Sequence, residues 1–136
     1  MTYFYFNPNP NQKSVGDCVV RGLCALTDQS WDSAYLELVN VGFMEKDMPS
    51  SNDVLAKVLY RYGYAIESIP NTCVFGRCYT VKQFCREHPE GRYLLATGKH
   101  VVAVIDGKYY DAWDSGNEVP IYYWKKENEN ATIWTV

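Results

Sequence analysis

Five cysteines and two histidines are the side chains of this sequence best suited to nucleophilic and acid–base chemistry, and their surroundings differ. His88 stands in Cys-Arg-Glu-His-Pro-Glu-Gly at the expected end of a helix, where a cation beside the last carbonyls is its simplest role. His100 instead opens an apolar strand, His-Val-Val-Ala-Val-Ile, which runs through Asp106-Gly107 into Lys-Tyr-Tyr-Asp-Ala-Trp-Asp. Asp-Gly between two strands is a strong hairpin signal, so His100 and the Asp111 region are expected to be neighbours on adjacent strands. With a two-residue turn, Ile105 faces Lys108, Ala103 faces Tyr110 and His100 faces Trp113. Side chains alternate between faces, which puts Asp111 on the face of His100 as its diagonal neighbour. A turn longer by one residue would bring Asp114 there instead. The two-residue turn is preferred because Asp and Gly suit both positive-φ positions.

Among the cysteines, Cys18 alone is expected at a helix N-terminus, where unpaired N–H groups and the helix dipole favour a thiolate. Asp17 beside it would raise the thiol pKa unless its carboxylate is turned away as a helix cap. Cys24 lies further along the same helix, at a core position. A thiol is intrinsically more nucleophilic than any hydroxyl the sequence offers, which makes Cys18 the candidate nucleophile and His100 the candidate base.

The elements that must position these groups follow from periodicity. Residues 3 to 6 form an aromatic run suited to a short strand, and the alternating prolines of Asn7 to Asn11 make extended irregular chain leading to Gln12. Val20, Leu23, Cys24 and Thr27 recur at helical spacing after Cys18. A second helix is expected from the N-cap Ser30, with Trp31, Ala34, Tyr35, Leu38 and Val41 on one face and Gly42 as its end. A third follows Pro49-Ser50-Ser51-Asn52 and stops at Gly63. Thr80 with Gln83 matches a capping box for a short fourth helix, finished by His88-Pro89. The period then changes. Tyr93–Thr97, His100–Ile105, Lys108–Trp113, Val119–Trp124 and Thr132–Val136 read as strands separated by glycine-containing turns. Helices followed by an antiparallel meander make one α+β domain over residues 1–136.

Composition narrows the partners. Thirteen basic against sixteen acidic residues give a formal net charge of -3, and the densest basic pair is Lys125-Lys126, so neither nucleic acid nor an anionic membrane is an expected partner. Met-Thr-Tyr-Phe-Tyr-Phe-Asn-Pro has neither a basic leader nor a long apolar run, and a cytoplasmic location is expected. An odd cysteine count excludes a complete disulfide framework and points to thiols in a reducing compartment.

Taken together, these residues resemble the papain-like cysteine peptidases. That family has a glutamine six residues before a cysteine at the start of a helix, then a distant histidine on a strand, then Asn or Asp on the next strand. Gln12 precedes Cys18 by six residues, His100 lies far downstream, and Asp111-Ala112-Trp113 reproduces the family's tryptophan two residues after its Asn, with Asp in place of Asn. The chain is shorter than papain, lacks the usual Cys-Trp pair, and has His100 and Asp111 closer together. In this it is similar to compact bacterial and phage members such as bacteriocin-processing peptidases. The resemblance implies a papain-like fold with N-terminal helices packed on the sheet, and a hydrolase acting on a peptide or protein without cofactor or metal. It also implies a Cys18-His100-Asp111 triad, an oxyanion site formed by the Gln12 amide and the Cys18 N–H, and Trp113 shielding the His100–Asp111 bond.

Three alternatives stay open. A binding or inhibitor protein, for example phage-encoded, could keep the papain-like shell without catalysis. The same triad also serves deamidation, transglutamination and acyl transfer. Cys73, Cys78, Cys85 and His88 suit zinc by type, but they lack the tight Cys-x2-Cys spacing, and Cys85 falls inside the fourth expected helix while Cys73 lies outside it. Trp113 could also be ordinary core, and Gln12 an ordinary loop residue.

Overall fold

A computed structural model describes residues 2–70 and 73–127. The elements run β1 (Tyr3–Tyr5), α1 (Cys18–Thr27), α2 (Trp31–Glu45), α3 (Asn52–Arg61), β2 (Tyr64–Ser68), α4 (Val81–Glu87), β3 (Arg92–Ala96), β4 (Val101–Ile105), β5 (Lys108–Asp111) and β6 (Tyr122–Lys126). Four helices and a six-stranded mixed sheet among the described residues place the protein in the α+β class.

Local signals set most helix boundaries. Ser51 caps α3 by accepting from the N–H groups of Asp53 and Val54, and Thr80 caps α4 by accepting from Gln83. Ser30 caps α2 as expected, but Gly42 does not end that helix. The helix continues to Glu45 and closes on Lys46 in the left-handed region. Gly42 serves a close approach instead, since a Cβ there would lie 2.8 Å from the Asp47 carbonyl oxygen as the chain turns back over the helix.

The sheet is not the expected meander. Its order is β1-β5-β4-β3-β6-β2, antiparallel except where β1 runs parallel to β5. The outer edge of β5 is taken by β1, so β6 cannot follow β5 and pairs with the free edge of β3. The unexpected strand β2, five residues directly after Gly63, then covers the outer edge of β6. The strand expected at 132–136 lies outside the described residues.

The central strands β3 and β4 are buried on both faces. Leu94, Ala96, Val101 and Ala103 pack with α1, α2 and α3 in the larger core, which also holds Leu23, Leu38, Leu55 and Trp124. The alternate residues Leu95, Val102 and Val104 pack with Val81, Phe84 and Cys85 of α4 and with Tyr109. Burial on two sides explains why β4 is an unbroken apolar run rather than an alternating one. Among the described residues, no helix is long and apolar enough to cross a membrane.

Candidate active site

Asp106 and Gly107 both have positive φ, 51° and 77°, and the turn between β4 and β5 contains two residues. Ile105 pairs with Lys108, Val104 with Tyr109 and Ala103 with Tyr110. This is the shorter of the two turns considered from sequence, and it brings Asp111 to the face of His100. His100 sits one residue before β4, where its carbonyl accepts from the backbone N–H and hydroxyl of Thr97. The backbone of Asp111 is held as firmly, because its carbonyl accepts from the Phe6 N–H at 2.8 Å and the Tyr3 hydroxyl at 3.1 Å. Across the hairpin, His100 Nε2 lies 2.5 Å from Asp111 Oδ2. A carboxylate only accepts, so the Nε2 proton belongs in this bond and Nδ1 is left for the thiol.

Cys18 is the first residue of α1 and is half-buried. At that position its backbone N–H has no intrahelical acceptor. Packing of α1 against β4 brings Cys18 beside His100, and each side chain shifts the protonation of the other. Asp17 occupies the N-cap position without a side-chain cap bond. Its carboxylate is turned to Arg21 and to the Trp31 indole N–H, the latter at 2.9 Å. A neighbouring guanidinium therefore offsets the charge that would otherwise oppose a thiolate at Cys18.

Electrostatics follow the same contacts. Burial pushes the Cys18 thiol up, but hydrogen bonds from His100 and from the Val101 backbone, with the positive charges of His100 and Arg21, bring it below the ordinary thiol value. Burial pulls His100 down, yet its bonds to Asp111 and Cys18 and the negative charges of both raise it to about 9. Burial likewise raises Asp111, and the bonds from His100 and Ser115 outweigh it and leave the carboxyl below the usual range. Both shifts favour the Cys18 thiolate and His100 imidazolium pair over the same groups standing apart.

The other cysteines differ. Cys24 and Cys85 are buried, and burial pushes each thiol up to about 11. Cys73 and Cys78 form a disulfide around the turn at Val74–Arg77, a pairing not expected from the cysteine count. Its formation and the burial of Cys85 dissolve the zinc arrangement considered from sequence. Among the described residues, no cluster of three or more His, Cys, Asp or Glu side chains could hold a metal ion. His88 caps α4, with its ring stacked on Phe84 at 3.7 Å and Nδ1 donating to the Phe84 carbonyl.

Trp113 is 46% exposed and therefore not core; its ring centroid lies 4.8 Å from that of His100. Asp114 faces away, accepting from the Tyr109 hydroxyl and the Gly116 N–H. Gln12 is exposed in a left-handed turn, φ 54°, and its Nε2 donates to the Asn9 carbonyl at 3.0 Å. Among the described residues, Gln12 is bonded to none of Cys18, His100 and Asp111.

Two buried residues of the site escaped the sequence reading. Arg21, 6% exposed, donates from one nitrogen to Asp17 and from the other to Asp111 Oδ1 at 3.0 Å. Ser115, 1% exposed, donates to Asp111 Oδ2 at 2.6 Å. A lone arginine among Val19, Val20, Leu23 and Cys24, four residues after an aspartate, was a legible sign of a buried ion pair. Ser115 carried no comparable signal. No protein-family model, no curated protein and no solved structure matches the chain.

Proposed function

We propose that this chain is a cysteine hydrolase of papain-like architecture that cleaves an acyl bond of a peptide or protein substrate through a thioester intermediate. The observation that carries the reading is the 2.5 Å bond from His100 Nε2 to Asp111 Oδ2, with the half-buried Cys18 at the start of the helix that packs on β4 beside His100. Nucleophile, base and orienting carboxylate stand in the order this chemistry requires.

The Cys18 thiolate attacks the substrate carbonyl carbon, and the carbonyl electron pair moves to oxygen. The Cys18 backbone N–H, free at the helix start, stabilises this oxyanion together with Gln12. One amide proton of Gln12 anchors on Asn9, which leaves the second to donate, a contribution of about 3 to 4 kcal/mol per donor in sites of this kind. The intermediate collapses as His100 Nδ1 gives its proton to the departing amine, leaving a thioester on Cys18. Water then loses a proton to Nδ1 and attacks the thioester, and the acid product leaves with the thiolate restored. Asp111 holds the imidazole tautomer throughout and stabilises its charged form. Trp113 covers the His100 ring, lowering the local dielectric around the His100–Asp111 bond.

A panel of electrophilic acyl and peptidyl probes, read by mass spectrometry on the intact protein and its peptides, tests this reading. Acylation at Cys18, lost in His100→Ala, is the expected result, and the accepted acyl group would separate hydrolysis from deamidation or acyl transfer. A Cys18 no more reactive than an ordinary exposed thiol would instead mark a binding protein.

A further inference from the structure

We infer that Arg21 is a positioning residue for the triad, holding Asp111 Oδ1 so that Oδ2 is presented to His100. The inference rests on the cysteine-hydrolase reading above and deepens it. Asp111 is 1% exposed, and among the described residues four donors meet its two carboxylate oxygens. Arg21 at 3.0 Å and the Ala112 N–H at 2.8 Å take Oδ1, while Ser115 at 2.6 Å and His100 at 2.5 Å take Oδ2. Only the arginine can supply a fixed positive charge to this buried carboxylate. The other donors are neutral or, in the case of His100, change charge during turnover.

The guanidinium is itself held in place. Its second nitrogen is tied to Asp17, and the other oxygen of Asp17 is tied to the Trp31 indole. The fork geometry of arginine spans two carboxylates, which a lysine ammonium does not reproduce. Counting charges, Asp17, Arg21 and Asp111 sum to -1, which a protonated His100 neutralises. Without the arginine the buried sum is -2, and one carboxyl must take up a proton or rotate to water. The groups facing this network are Tyr3 from β1, Asp17 at the N-cap of α1, Cys18 and Arg21 from α1, Trp31 from α2, His100 before β4, Asp111 at the end of β5 and Ser115 beyond it.

The test is the pH dependence of Cys18 alkylation by iodoacetamide. It is measured in the wild-type protein, in Arg21→Lys and in the charge-neutral double variant Asp17→Asn with Arg21→Gln, each checked for folding by circular dichroism. The wild-type profile comes first: a Cys18 limb at the ordinary thiol value would sink the hydrolase reading before Arg21 is at issue. Given a low wild-type limb, a positioning Arg21 requires the limb in a folded variant to move up by about one pH unit, with labelling falling about tenfold at pH values below the wild-type limb. A folded variant with the wild-type limb, whatever its loss of thermal stability, would overturn the inference. Failure of both variants to fold would overturn it equally, because Arg21 would then be a structural ion.

Discussion

Cys18 and His100 shift each other's protonation in opposite directions, and that coupling sets what can be measured at the residue scale. One equivalent of iodoacetamide at neutral pH should label Cys18 ahead of all others, since Cys24 and Cys85 are buried thiols pushed up to about 11 and Cys73 and Cys78 are joined. Preferential labelling of any other cysteine would remove Cys18 from its role. Turnover and alkylation should separate as pH rises. Above about 9 the imidazolium is lost and with it the acid that protonates the leaving group, so turnover falls, whereas the thiolate remains and alkylation does not fall. Coincident descending limbs in the two assays would contradict the assignment of His100 as the acid. Gln12→Ala should lower kcat by about a hundredfold or more with little change in KM, because the oxyanion exists only in the transition state. A rise in KM alone would make Gln12 a substrate contact, and no change at all would leave its amide to the Asn9 turn.

Elements place these residues through helix termini and one hairpin. The N-terminus of α1 presents Cys18, and the β4–β5 turn sets the face on which Asp111 appears. Gly42 shows how a tertiary contact can override a local preference. Helix propensity alone predicts that Gly42→Ala stabilises α2 by about 1 kcal/mol. The close approach of the Asp47 carbonyl, which also accepts no slack because the Asp47 N–H bonds the Gly42 carbonyl at 2.9 Å, reverses the sign. The expected outcome is a loss of about 1 to 3 kcal/mol in urea unfolding, with Cys18 labelling in the folded protein unchanged. A more stable Gly42→Ala protein would show that the 46–49 turn yields easily.

At the scale of the whole molecule, β3 and β4 are shared between two cores, so damage on one face should be felt on the other. Phe84 of α4, 1% exposed, lies across the sheet from α1. Phe84→Ala should cost about 3 to 5 kcal/mol and still unfold in one transition, with tryptophan fluorescence and far-ultraviolet circular dichroism coincident. Separate transitions would mean that the α4 layer unfolds by itself. Much of what positions the site was legible without the fold. The start of α1 at Cys18, the Ser51 and Thr80 caps, and the pairing of Ile105 with Lys108 depend on residues a few positions apart, whose turn and capping chemistry acts locally. The sheet order did not follow from such signals, because whether β6 joins β5 or β3 depends on which edge remains unpaired after β1, a segment about a hundred residues earlier, has docked. Arg21 was visible as a buried charge in need of a partner, and Asp17 was the near one. Its second partner, Asp111, is 90 residues away, and only the packing of α1 on the sheet brings that carboxylate within reach of the guanidinium.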